Sequence, residues 1–430
     1  MLTAAPEIGN GRSAELNMPV LDRTAAPRAY DRIRPQIMDL ETENIAELAV
    51  RARSIPDVIT LWYGEGDLVT PDFIREAAKR SLDAGNTFYV PDMRGLPELT
   101  EALSAYLSDL HGRDIPVVRS TVTPGGMQAV FLALDLVVDA GSNVVYVEPQ
   151  WPNIRSAIQI AGGEPRAVPL GFERGSWHLD LDRLFAACDA RTRAIMFSTP
   201  SNPLGWTATR EELQALIEFS RRTGIWIVSD ELYNRLSFEA RCAPSVLQIA
   251  EPEDLVLSVN GFSKAWAMTG WRIVWLTHPP SVAKPLGAMT QYVNSGTAHF
   301  VQAGARAAIL EGEAFVRQVR DRCRAGVDAA YKAFAGANSI VLPTKPSGGM
   351  YVMFSVAGEA ESGEACRRIL EEAHVGLAPG WLFGPSSRSF IRMCVCRDTS
   401  EVEEACGRIA TALRGNERAA GTSRLAAARA

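Results

Sequence analysis

The run Asn260-Gly261-Phe262-Ser263-Lys264-Ala265-Trp266-Ala267-Met268-Thr269-Gly270-Trp271-Arg272 sets one lysine and one arginine eight residues apart among small and aromatic neighbours. A lone amine in apolar surroundings has a lowered pKa and forms an imine with an aldehyde. A rigid guanidinium fork suits a phosphate better than a substrate carbon. Imine and phosphate together point to pyridoxal phosphate as the cofactor.

Working outward, Leu255–Val259 directly precedes this run, and Asn143–Val147, Arg193–Ser198 and Ile225–Ser229 are similar short β-branched stretches. All four read as buried strands. A helical pattern over Thr209–Thr223, opened by a capping box of Thr209 and Glu212, separates two of them. The alternation predicts an α/β fold with a mostly parallel sheet, in which ligands collect beyond the carboxyl ends of the strands. Chemistry gathers at those ends: Asn202 follows one strand, Asp230 and Tyr233 another, Ser263 and Lys264 a third.

Each group has a task on a pyridoxal ring. A carboxylate at Asp230 keeps the pyridine nitrogen protonated, which makes the ring an electron sink. Tyr233 and Asn202 suit the ring's 3-hydroxyl, and Lys264 forms the imine and then moves protons. Thr123-Pro124-Gly125-Gly126-Met127-Gln128 supplies a glycine turn before a helix over Met127–Val138, whose N–H groups would face the phosphate, with Arg272 adding a charged fork. Trp151 is placed to stack on the ring.

After Leu276 the pattern changes to long helices, two short strands around Gly349–Val356 and Ser389–Val395, and a last helix opened by Ser400 and Glu403. That predicts a second, smaller α+β domain. The expected division is an N-terminal extension over 1–29, a small domain from 30–60 with 300–415, a large cofactor-binding domain over 61–299, and a tail over 416–430. Both ends are compositionally simple and are expected to fray or to pack late.

Composition excludes several classes. With 47% hydrophobic and 22% charged residues the chain reads as a globular protein of more than one domain. Lys and Arg total 44 against 50 Asp and Glu, a net −6 that offers no footprint for nucleic acid or an anionic membrane. The seven cysteines are odd in number and form no Cys-x-x-Cys, so neither a disulfide framework nor a metal site is expected, and the compartment reads as the cytoplasm. The most apolar stretch, Ala129–Val138, is too short to span a bilayer. Nucleotide-binding and zinc-hydrolase motifs are missing.

In the order glycine turn, Trp151, Asn202, Asp230, Tyr233, Lys264, Arg272, the chain resembles the class I/II aminotransferases of the fold-type I pyridoxal-phosphate family, over roughly residues 30–415. The run Asn260–Arg272 is especially similar to their bacterial aspartate aminotransferase-like branch. The resemblance implies a seven-stranded, mostly parallel sheet and a homodimer in which Tyr89, of a Tyr-x-x-x-x-x-Gly pattern ending at Gly95, reaches the partner subunit's phosphate. It implies cofactor contacts from Gly125, Gly126, Met127, Trp151, Asn202, Asp230, Tyr233, Ser263, Lys264 and Arg272. Substrate contacts are implied for Gly64, Trp151, Asn202 and Arg392, with Arg392 gripping the α-carboxylate. Arg397, beside Asp398, reads as a surface charge.

Two positions depart from that pattern. Gly261 stands where many relatives have a serine, and Met127 stands where members preferring aspartate often carry a cation. The expected activity is transfer of an amino group between an L-amino acid and a 2-oxo acid with ping-pong kinetics. A β-lyase or decarboxylase on the same scaffold is the alternative. An effector module of a transcription regulator would need a DNA-binding domain, for which the residues before the core leave no room. Trp62, Tyr63, Met127 and Trp151 suggest aromatic and apolar pocket walls, and an apolar thioether cannot pair a second carboxylate, so aspartate is expected to be a weaker donor than an apolar or aromatic amino acid; the alternative is that Met127 packs behind the phosphate turn and another residue, such as an arginine of the partner subunit, reads the distal carboxylate.

Overall fold

The computed structural model of the protein describes residues 29–40 and 45–427. Residues 1–28 of the expected extension and 428–430 of the tail lie outside them. The described residues fall into two units, one ending at Asp39 and one beginning at Leu40. Among its described residues the first has a 3-10 turn, Ala29–Arg32, and a short helix, Pro35–Met38, with proline at its first position.

In the second unit, seven strands make one sheet: β1 (Ser120–Thr123), β2 (Asn143–Glu148), β3 (Glu164–Pro169), β4 (Thr192–Ser198), β5 (Trp226–Asp230), β6 (Val256–Gly261) and β7 (Val274–Thr277). Their order is β1-β7-β6-β5-β4-β2-β3, and only β7 runs against its neighbours. Side chains alternate between the two faces, as the two-residue strand period requires. Ile195, Phe197, Ile227 and Trp275 enter one apolar core, while Met196, Val228, Leu257 and Leu276 enter another. Burial on both faces is why the central strands β4, β5 and β6 read as largely apolar.

The strand limits move by a residue or two from those expected. Asp230 closes β5 rather than following it, because the ladder Ser198↔Asp230↔Val259 still holds there. Helix α1 spans Gly126–Val137 and starts one residue early, capped by Gly125 at φ 93°. Helix α2 spans Asn153–Ile160, and α3, Arg210–Thr223, carries the expected Thr209–Glu212 capping box.

A four-stranded antiparallel sheet follows, made of β8 (Ile340–Val341), β9 (Tyr351–Val356), β10 (Ala378–Pro379) and β11 (Phe390–Cys394) in the order β8-β9-β11-β10. Helices α4 (Glu313–Phe334), α5 (Ser362–Ala373) and α6 (Thr399–Ala427) cover it. Val327, Phe354, Ile369, Ile391 and Ile409 share its core with Ile59 and Leu61 from far earlier in the chain. Helix α6 begins at Thr399, where the Asp398 carboxylate accepts from the Ser400 amide at 3.1 Å. Asp398, not the expected Ser400–Glu403 pair, satisfies that helix start. The helix also continues into the segment expected to fray, ending at Ala427. No helix among the described residues is long and apolar enough to cross a membrane.

Candidate active site

The parallel strands deliver their last residues to one rim of the sheet, and a cavity of about 730 Å³ opens there. Asn202 comes from the loop after β4, Asp230 from the end of β5, and Ser263 and Lys264 from the loop after β6. Strand β7 runs in the opposite direction, so the same loop returns through Arg272 before leaving the rim. Arg272 adopts a left-handed conformation at φ 51° and ψ 54°. Its Nη1 donates to the Thr269 carbonyl at 2.7 Å. Gly125 lies against it so closely that a Cβ there would sit 2.5 Å from Arg272 Nη2. The positive φ and this approach both require glycine at the helix cap.

The four-stranded sheet supplies the opposite wall. Arg392 on β11 donates from Nη1 to Asn202 Oδ1 at 2.9 Å and from Nη2 to the Trp62 carbonyl. Its guanidinium lies 4.6 Å from the ring centres of both Tyr351 and Phe383. Buried and stacked in this way, the fork is fixed in place, and its Nε has no partner among the described residues. The Tyr351 hydroxyl meets that of Tyr233 at 2.7 Å.

Electrostatics follow from burial. Lys264 Nζ donates to the Gly64 carbonyl at 2.6 Å, and burial lowers its pKa from 10.5 despite the nearby Cys394 and Glu65. Asp230 accepts one backbone hydrogen bond, from Leu232 at 3.2 Å, and burial raises its pKa from 3.8 to about 6, against the pull of Lys264. Among the described residues this carboxylate has no cationic partner within bonding distance. Its neighbour Glu231 is also pushed up by burial, to about 7, although Ser245, Val246 and Ser229 donate to it.

Of the residues expected from the sequence, Gly64, Gly126, Met127, Trp151, Asn202, Asp230, Tyr233, Ser263, Lys264, Arg272 and Arg392 line this one cavity, and Gly125 stands behind Arg272. Tyr89 does not join them: it is 83% exposed and lies outside its own chain's cavity lining. Trp62 and Tyr63 form part of the walls, and Arg397 pairs with Glu401 at 3.0 Å, outside the cavity lining. At Gly261 a Cβ would collide with Val274 across the β6–β7 ladder, so a serine does not fit that place without repacking.

Tyr351, Phe383, Phe131 and Leu232 also line the cavity and were not foreseen. The paired glycines of Gly348-Gly349, just ahead of Tyr351, were the available signal.

Residues 56–409 match the family model described as aminotransferase class I and II. An aspartate aminotransferase of Pyrococcus horikoshii is 31% identical, over 90% of this chain and 98% of its own length. An aspartate/prephenate aminotransferase of Cereibacter sphaeroides is 33% identical, over 88% of this chain and 96% of its own. Among solved structures, the aspartate aminotransferase of Thermotoga maritima superposes with a TM-score of 0.82 at 28% identity, covering 89% of this chain and all of that one. The chain belongs to the class I and II aminotransferases and is a pyridoxal-phosphate-dependent aminotransferase, with the fold-type I architecture.

Proposed function

We propose that this cavity holds pyridoxal phosphate and exchanges the amino group of an apolar or aromatic L-amino acid with a 2-oxo acid. The carrying observation is the convergence of Lys264, Asp230, Asn202, Tyr233, Arg272 and Arg392 on a single cavity. The donor set fits the cofactor: the Gly125 cradle and Arg272 suit its phosphate, and the buried, unpaired Asp230 suits a protonated ring nitrogen. Asn202 and Tyr233 suit the ring oxygen, with Gly126, Met127, Trp151 and Ser263 completing the enclosure. When bound, pyridoxal phosphate supplies the aldehyde that takes the amino group and the ring that acidifies the donor's α-carbon.

The chain's own groups do the rest. Arg392 binds the α-carboxylate through its fork, and Gly64 and Trp151 border the substrate. Lys264, whose burial favours the neutral amine, takes and returns the proton at the substrate α-carbon. The walls exclude water from that atom.

Donor choice follows from what remains. The relatives' names include aspartate, yet among the described residues the cavity's cations are Lys264, Arg272 and Arg392, all with tasks already. Met127, Phe131, Trp151 and Leu232 offer apolar surface instead. Stripping a second carboxylate of water without a partner costs several kcal/mol, roughly a thousandfold in specificity. Comparing kcat/KM for phenylalanine, leucine, methionine and aspartate at one pH tests the reading. Apolar donors should lead; a tenfold lead for aspartate overturns it.

A homodimer is part of the proposal, with Tyr89 directed at the partner subunit's phosphate. Phe88, Tyr89 and Tyr292 are each more than four-fifths exposed, and their segments adjoin where Gly296 meets Val90 and Met93. An apolar patch of that kind supports a self-complementary interface. Seven free cysteines support a cytoplasmic location. The separate core around Val327 and Phe354 supports the expected division into a small domain, 30–60 with 300–415, and a large one over 61–299.

A further inference from the structure

Tyr351 touches three parts of the cavity with one side chain. It projects from β9, opposite Cys394 of β11, and is fully buried. Its hydroxyl lies 2.7 Å from that of Tyr233, and the two rings meet edge to face with centres 5.6 Å apart. Its ring face carries the Arg392 guanidinium. The Gly64 backbone passes so near that a Cβ there would collide with the Tyr351 hydroxyl, and the Gly64 carbonyl in turn accepts from Lys264 Nζ.

Two phenols sharing one hydrogen bond have two protons between them, of which one lies in the shared bond. Burial pushes both well above the usual phenol value, so neither ionises near neutrality. The second proton therefore points outward from one hydroxyl. Around Tyr233 the charged and titratable groups are Tyr351, Asp230, Arg392 and Lys264, whose Nζ is 5.9 Å from the ring centre. Tyr351 is crowded by Gly64 and stacked on Arg392. Donation from Tyr351 to Tyr233 leaves the outward proton on Tyr233, free for an acceptor in the cavity.

We propose that Tyr351 is a positioning residue: its hydroxyl donates to Tyr233 and so aims the Tyr233 proton at the cofactor's ring oxygen, while its ring face holds the Arg392 fork square to the substrate carboxylate. The inference rests on the proposed placement of Tyr233 at that oxygen. An ionised ring oxygen that loses an aimed donor is less favoured, and the pH at which the bound cofactor changes colour rises.

Visible-absorbance titration of holoenzymes carrying Tyr351→Phe, Tyr233→Phe and both changes tests this, with thermal unfolding of each apoenzyme as the fold control. Tyr351→Phe should raise the midpoint by about one pH unit, in line with one hydrogen bond to a charged system, without raising KM for amino or oxo acid. The double variant should shift no further than Tyr233→Phe alone. Tyr351→Leu should also raise KM for both substrate types about tenfold, the loss of one guanidinium contact. If Tyr351→Leu does not load cofactor, the three phenylalanine variants decide the matter. An unmoved midpoint in Tyr351→Phe, or a shift that adds in full to that of Tyr233→Phe, overturns the proposal. An unmoved midpoint in Tyr233→Phe overturns the placement of Tyr233 instead.

Discussion

The two walls of the cavity are finished to different degrees. On the rim of the seven-stranded sheet, among the described residues, Asp230 has one backbone donor and no cation within bonding distance, and the buried hydroxyls of Ser198 and Ser201 have no partner. On the four-stranded sheet, Arg392 is already held by Asn202, the Trp62 carbonyl and two aromatic faces. The first wall is electrostatically open and gains from an incoming cation and anion; the second is preorganised around a charge it already has. A cofactor that stays bound suits the open wall, and substrates that come and go suit the closed one, since little need reorder at each exchange.

Changes to the open wall should break catalysis most. Lys264→Ala removes the amine proposed to move the α-proton, and turnover should vanish while much of the cofactor affinity remains, because the proposed phosphate and ring contacts are separate from it. Steady-state rates and bound-cofactor absorbance measure both; near-normal rates would remove Lys264 from the reaction.

Asp230→Asn sharpens the contrast, because it should damage function and help the fold. Proton abstraction should slow roughly a hundredfold to a thousandfold, the range for losing a preorganised electrostatic partner. In the apoenzyme the Asp230 pKa is raised from 3.8 to about 6, so between those values the folded chain binds more protons than the unfolded one. Its contribution to stability therefore falls as pH rises through that window and stays reduced above it. Asn carries no charge to desolvate, so the variant apoenzyme should gain roughly 1–3 kcal/mol at pH 8 and little at pH 4. Urea unfolding at the two pH values measures this, and a gain of equal size at both would assign the effect to packing.

Arg392→Lys should have a smaller and more uniform effect. A point charge cannot reproduce the stacked fork, and KM should rise about tenfold to a hundredfold for every amino acid and oxo acid alike. A loss confined to one substrate would place Arg392 at a side chain instead.

The open wall was legible in the sequence and much of the closed wall was not, for a physical reason. Asn202, Asp230 and Lys264 sit at strand ends, where a polar residue interrupts an apolar run and the interruption itself is the signal. Tyr351 and Phe383 are aromatic residues within or beside small-sheet strands, and nothing local distinguishes a ring that packs on a guanidinium from one that packs on leucine. Arg392 was placed through family resemblance, but its Trp62 carbonyl partner is 330 residues away and depends on tertiary closure alone. The direction of Tyr89, exposed on its own chain, is likewise beyond reach of spacing.

The reversed strand β7 has a consequence for how the protein assembles. It makes β6 and β7 an antiparallel hairpin, pinned by Gly261↔Val274 and Asn260↔Trp275, whose connecting loop holds both Lys264 and Arg272. Closing that hairpin brings the Lys264 amine and the Arg272 guanidinium to one place at the cost of a very short loop. Bringing Arg392 to Trp62 closes a loop of 330 residues. By the logarithmic growth of loop-closure entropy, that costs about 3 kcal/mol more than a separation of eight residues. The proposed cofactor anchor is thus a local structure and the proposed substrate grip a global one. A growing chain can form the first from neighbouring residues long before its last strand exists to form the second.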